Sequence, residues 1–169
     1  LTDALAKKVS PITRGIFSSS LEKLESEISE GFRFQEVEKI HAEPPVPPHS
    51  PDIELHRGID AINWMLTDPW VVEHGHSVTE TMDYYFSDSR DMYRQIAVEV
   101  YDLAEEYLGF VVLSVSQQGE KIVVKTRDFH FSQPSYERVV LALALRYGRE
   151  YDAKIIELPA EIVEYFPPR

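Results

Sequence analysis

The stretch FHFSQPSYERVV, residues 129–140, gathers side chains that could do chemistry where a strand pattern gives way to an amphipathic helix. A helix start presents unpaired N–H groups and the positive end of its dipole, so it favours an anion. Ser132, Gln133, Ser135, Tyr136 and Arg138 surround that start with amides, hydroxyls and a guanidinium. The chemistry they suggest is the cradling of a phosphate. Other residues in the same stretch oppose it. Pro134 removes one N–H, Glu137 in the first turn repels an anion, and no glycine lets a backbone approach a phosphate closely. An ordinary capped helix, with Ser132 or Gln133 near the cap, is the other reading of these residues. The surrounding charge is suggestive too. Residues 121–154 hold seven Lys and Arg against four acids, in a chain whose formal net charge is −12. Helix-surface arginines paired with neighbouring carboxylates would account for this excess, and so would a basic lip for an anionic ligand.

The elements that must position this stretch follow from periodicity. Ile96, Val98 and Val100 alternate with Gln95, Glu99 and Tyr101, which predicts a half-buried strand over 93–103. GFVVLSVSQ and KIVVKTRDFHF predict a second and a third strand, joined through Gly119 in a hairpin. Tyr136, Val139, Val140, Leu143 and Tyr147 recur at helical spacing, followed by a strand in AKIIELP and a short helix in AEIVEYF. The order β-β-β-α-β-α implies an α/β or α+β fold, a mixed sheet with an antiparallel meander and flanking helices. Upstream, Ser19 and Glu22 have the form of a capping box before Leu21, Leu24 and Ile28, which predicts a helix over 18–30. FRFQEVEKI predicts a strand. EPPVPPHSP, residues 43–51, has five prolines in nine positions and predicts an extended spacer. Ile59, Ile62, Trp64, Met65 and Leu66 predict a helix that Pro69 ends, and 73–91 reads as a polar loop with a short extended piece near Tyr84–Phe86. The expected division is a helical and extended segment over 1–45, assignable to another domain, and a principal domain over 46–169.

From Tyr93 to Phe166 the order of elements resembles the central portion of the GNAT superfamily of acyl-CoA-dependent N-acyltransferases. The resemblance implies a GNAT-like fold with acetyl-CoA or another acyl-CoA as co-substrate. The pyrophosphate would be held by the loop of Ser132, Gln133, Ser135, Tyr136 and Arg138. In the family that loop runs Gln/Arg-x-x-Gly-x-Gly/Ala, and here Tyr136 and Arg138 stand where its two small residues belong. Tyr165 falls at the offset of the family's tyrosine acid and would protonate the leaving thiolate; Leu158 and Glu161 replace the asparagine and alanine that usually precede it. Glu99, or Asp102 on the same strand, would serve as base toward the amine. The family carries two more strands after the last short helix, so the resemblance expects an incomplete domain or one completed from elsewhere. The implied activity is acyl transfer to an amine on a small molecule or a protein. The alternative is a non-catalytic interaction or regulatory module that has lost the pyrophosphate loop.

Composition limits the partners. A net charge of −12 repels polyanions, which argues against nucleic acid and anionic lipid, and no apolar run reaches the roughly 20 residues of a membrane helix. The absence of cysteine removes thiolate and disulfide chemistry and agrees with a cytoplasmic location. A homodimer, or a second domain of the same chain, is the further partner expected. His74 and His76, with Glu73 adjacent, could ligate zinc, but no further ligand stands at typical spacing, so a solvated loop and no metal are expected. Tyr84, Tyr85, Phe86 and Tyr93 lie among acids, which suits core packing, a protein interface or a cleft for a cationic amine.

Overall fold

The computed structural model describes residues 10–13, 19–44, 57–67, 71–73 and 88–165. Alternation in the second half of the chain produces three long antiparallel strands: β5 (Tyr93–Asp102), β6 (Tyr107–Gln118) and β7 (Lys121–Phe131). Helical spacing after the turn at Pro134–Tyr136 produces α3 (Arg138–Glu150), and the chain returns as β8 (Ile155–Leu158) before the short α4 (Ala160–Val163). A helical crossover brings its second strand back parallel to the first, and β8 pairs with β7 in that sense. Ahead of the meander come β1 (Ser10–Thr13), α1 (Ser19–Ser29), β2 (Phe32–Val37) and α2 (Ile59–Thr67), then β3 (Val71–Glu73) and β4 (Asp88–Arg90). The fold is α+β. Its principal sheet has six strands in the order β1-β8-β7-β6-β5-β2, while β3 and β4 form a separate parallel pair.

The proline-rich stretch is not a boundary between cores. β2 pairs antiparallel with β5 over Phe32–Val37, and Leu21 and Ile28 of α1 are buried in the same cluster as Val98, Val111 and Leu143. The segment before residue 45 therefore completes this sheet instead of standing apart as another domain. Nor is the polar region before the meander only loop, since Val71–Glu73 pairs with Asp88–Arg90; Tyr84–Phe86 lie outside the described residues.

Strand alternation divides the side chains between two faces. One face carries Ile96, Val98, Val100, Val111, Leu113 and Val124 against α1, α3 and α4. Every α3 residue from Val139 to Leu145 is buried, because α1 covers the side of the helix turned away from the sheet. Between the two helices, Glu25 is 6% exposed and accepts from Arg146 at 3.5 Å and Arg149 at 2.7 Å. Two of the basic residues in 121–154 are thus engaged in an intramolecular ion pair. The opposite face carries Ala97, Phe110 and Val112 beneath Ile40 and Ile62. A bulge in β7 interrupts the alternation there: Leu113 opposes Thr126 and Val112 opposes Asp128, leaving Arg127 unpaired in the ladder. Arg127 then bonds Ser114 on the α2 face, and the next residue, Asp128, reaches Arg57 on that face as well.

Near the start of β6, Gly109 has φ +152°, and a Cβ there would clash with the His130 carbonyl oxygen. Close contact between β6 and β7 depends on that bare backbone. Gly109→Ala is expected to lower unfolding free energy by more than about 1 kcal/mol, measured by urea denaturation followed by circular dichroism. A change of a few tenths would show that β7 yields at this point.

Candidate functional site

The crossing from β7 to α3 is closed by its own groups. Ser132 N–H continues the strand ladder to the Leu108 carbonyl at 2.9 Å, Tyr136 N–H donates to Gln133 O at 3.1 Å, and Glu137 N–H donates to Pro134 O at 3.0 Å. Three N–H groups at the crossing are therefore already committed. Pro134 starts a single 3₁₀ turn because its fixed φ suits a first helical position, and Gln133 before it is extended, as a residue preceding proline tends to be. Neither Gln133 nor Glu137 makes a side-chain cap. The Tyr136 ring packs edge-on against Phe32 with centroids 6.0 Å apart, and the Arg138 guanidinium lies 6.0 Å from the Phe32 ring. Tyr136 thus turns toward the α1–β2 side of the core. Gln133 and Ser135 are exposed and Ser132 is half-buried.

Tyr165 does come to this crossing. Its hydroxyl donates to Pro134 O at 3.5 Å. Partial burial raises its pKa above 10.0, nearby Glu137 and Glu164 raise it further, and Arg138 opposes them. Glu99 does not join it. The cross-strand neighbour of Glu99 is Phe110 of the α2-side core, so its side chain lies on the other face of the sheet from α3 and α4. The two residues assigned acid and base roles by the family resemblance therefore do not share one cleft. Asp102 caps the β5–β6 turn, accepting from the N–H groups of Ala104 and Glu106 at 2.8 Å each.

Glu99 instead anchors a polar cluster. It is 1% exposed, and each carboxylate oxygen has a donor: Oε1 accepts from His41 N–H at 2.8 Å and faces His41 Nδ1 at 3.0 Å, while Oε2 accepts from Tyr101 at 2.7 Å. The Arg33 guanidinium stacks over the Tyr101 ring at 4.1 Å and pairs with Glu105 at 2.6 Å. Tyr107 packs edge-on against Tyr101 and donates to Ala42 O at 2.7 Å. Burial chiefly, with Glu99 as the next cause, pushes the Tyr107 hydroxyl well above its ordinary 10.0. Tyr101 is raised as well, by burial first and then by its bond to Glu99. The His41 side chain is 70% exposed, so a histidine at the surface is held through one ring nitrogen by a carboxylate below it. Carboxylate–histidine pairs of this kind fix a tautomer and leave the other nitrogen available to accept or give a proton. Nothing in the local sequence around His41 announces this partnership, because Glu99 stands 58 residues away.

The strap carrying His41 also positions α2. Asn63 exchanges two bonds with the Ile40 backbone, at 2.8 and 2.9 Å, and Glu43 accepts from Ile59 N–H at 2.8 Å at the start of the helix. Among the described residues no group of three His, Asp or Glu side chains is placed to hold a metal ion; His74 and His76 lie outside them. No described helix is long and apolar enough to cross a membrane. Comparison with protein-family models, curated proteins and solved structures finds no match to this chain.

Two measurements probe the cluster. Glu99→Ala leaves the Tyr101 hydroxyl and the His41 N–H without their acceptor and is expected to cost about 1–3 kcal/mol in chemical denaturation. A double-mutant cycle with His41→Ala should show a coupling of about 0.5–3 kcal/mol, and additive single effects would show that the His41 ring and Glu99 are not coupled. Tyr107 supplies the second. Because its folded pKa lies above the unfolded value of 10.0, its stabilisation is complete below pH 10 and declines as pH rises beyond. Tyr107→Phe should flatten that alkaline decline while lowering stability at neutral pH, both read from denaturation midpoints across pH.

Proposed function

We propose that this chain is a non-catalytic binding module on a GNAT-like sheet, in which the loop that would hold a pyrophosphate has been closed. The observation that carries this reading is the commitment of the Ser132, Tyr136 and Glu137 N–H groups to protein carbonyls. An anion cradle depends on backbone donors left unpaired at a helix start. The placement of Tyr136 on Phe32 supports the same reading, since the residue standing at a small-residue position serves the core. So does the separation of Tyr165 and Glu99 onto different faces of the sheet.

One observation favours the second reading, a divergent N-acyltransferase that moves an acyl group from acyl-CoA to an amine. β8 pairs with β7 only over Val123–Lys125 and ends at Leu158, while β7 runs on to Phe131. Among the described residues that leaves a notch along the edge of β7 beyond Lys125, where an extended thioester arm could add backbone hydrogen bonds. In that reading Ser132, Gln133, Ser135, Tyr136 and Arg138 would hold the cofactor and Tyr165 would give its proton to the departing thiolate.

Thermal unfolding with acetyl-CoA separates the two. A ligand at 100 times its dissociation constant adds about 2.7 kcal/mol, or roughly 2–8 °C for a domain of this size range. The binding-module reading expects an unchanged Tm at millimolar acetyl-CoA. A saturable rise that Arg138→Gln diminishes would overturn it in favour of the enzyme.

A further inference from the structure

On the face of the sheet away from the β7–α3 crossing, a cavity of about 240 Å³ opens between α2, the start of β5 and the middle of β7. Three cations line it: Arg57 ahead of α2, and Lys125 and Arg127 on β7. In a chain of net charge −12, their convergence is the reverse of the overall balance. Strand alternation sets Lys125 and Arg127 on this one face, and the extra residue at the β7 bulge brings the following Asp128 onto it as well.

The pairing already present leaves donors over. Arg127 spends its Nε on Ser114 Oγ at 2.7 Å, and no bond involves its two terminal nitrogens among the described residues. Lys125 gives one of its three N–H bonds to Glu157 at 2.8 Å. Arg57 approaches Asp128 only to 3.8 Å, beyond hydrogen-bond distance. Set against this surplus are two lining residues with a buried polar atom that lacks a partner, Thr126 through Oγ1 and Gln95 through Oε1. Gln95 lines the same cavity, and its Oε1 is buried with no hydrogen-bond partner, although its Nε2 donates to Tyr93 at 3.1 Å. A buried acceptor left unsatisfied is costly, and a ligand that supplies the donor removes that cost. Met65 and Tyr93 provide apolar wall.

We propose that this cavity binds a small oxyanion, carboxylate or phosphate, that also carries a hydroxyl donor. The oxyanion sits among Arg57, Lys125 and Arg127, where guanidinium groups match it in pairs of hydrogen bonds, and the hydroxyl donates to Gln95. The size sets the class. Pockets for drug-sized ligands measure roughly 300–1,000 Å³, so a cavity below that range suits a metabolite of a few carbons and not a nucleotide. The site is independent of the crossing and of either reading of it.

Backbone amide NMR titrations at constant ionic strength test the site with inorganic phosphate, glycerol 3-phosphate and lactate. Saturable shifts are expected at Arg57, Gln95 and Lys125–Arg127, with phosphate dissociation constants on the order of millimolar. Shifts with lactate alone identify a carboxylate ligand, and shifts with the phosphates alone identify a phosphate ester; either outcome supports the site. Glycerol 3-phosphate should bind tighter than phosphate, and Gln95→Met should abolish that advantage while retaining phosphate binding. Arg127→Gln and, separately, Lys125→Gln should each weaken binding about tenfold with the amide spectrum otherwise intact. No saturable shift with any probe overturns the proposal, as do shifts scattered over the surface or unchanged in both variants.

Discussion

A carboxylate at the centre of a sheet face constrains most of what surrounds it. Glu99 stands among apolar strand residues with almost no exposure, so its charge must be answered by donors brought from elsewhere. Tyr101 supplies one from the same strand, two residues on. The others come from His41, and that requirement draws the chain after β2 back across the sheet. Once there, Ile40 covers Phe110 and Val112, Asn63 locks to the Ile40 backbone, and Glu43 starts α2. The α2 face of the molecule is organised outward from one buried charge. The core would be simpler without it, because replacing a buried ionic group by apolar side chains is often neutral or stabilising. Its presence specifies where the strap lies.

The α1–α3 face follows the opposite logic. It is mostly apolar, and Glu25 with Arg146 and Arg149 seals the seam between the two helices. The two faces share the same stretches of strand, with Ala97 between Ile96 and Val98, and Val112 between Val111 and Leu113. At the crossing, the Ser132, Tyr136 and Glu137 donors are turned inward and spent; beside the β7 bulge, cations are turned outward and left with donors to spare. A strand's alternation sets the default face of each side chain, and a single inserted residue changes it.

Much of the framework was legible in the sequence. β5, β6, β7, α3 and β8 each carry a period that matches their structure, since regular alternation or helical spacing over a long run leaves few other ways to bury the apolar residues. The proline-rich stretch was misleading as a boundary, because composition reports local conformation and says nothing of β2 pairing with a strand far along the chain. β3 and β4 are too short to show a period. In the candidate site, Glu99 was recognisable as a strand carboxylate, but its partner His41 looked like any other histidine on a loop. The fate of the crossing was hidden for another reason. Whether Ser132 and Tyr136 offer or spend their N–H groups depends on backbone geometry that side-chain types do not encode. The bulge at Arg127 likewise leaves no mark in an otherwise regular strand.

The pairing of β2 with β5 also bears on how the sheet is assembled. β5, β6 and β7 are joined by short turns and can associate early, but the outer edge of β5 stays bare until β2 closes on it from across the proline-rich region. Ile96, Val98 and Val100 stand along that edge, a template to which a strand of another chain could add. In the finished sheet β2 takes over as the terminal strand, and it brings Arg33, Gln35 and Glu36, with Glu36 fastened to Tyr147 of α3 at 2.6 Å. The last strand to arrive by this route is also the one that makes the sheet's border unattractive to its own copies.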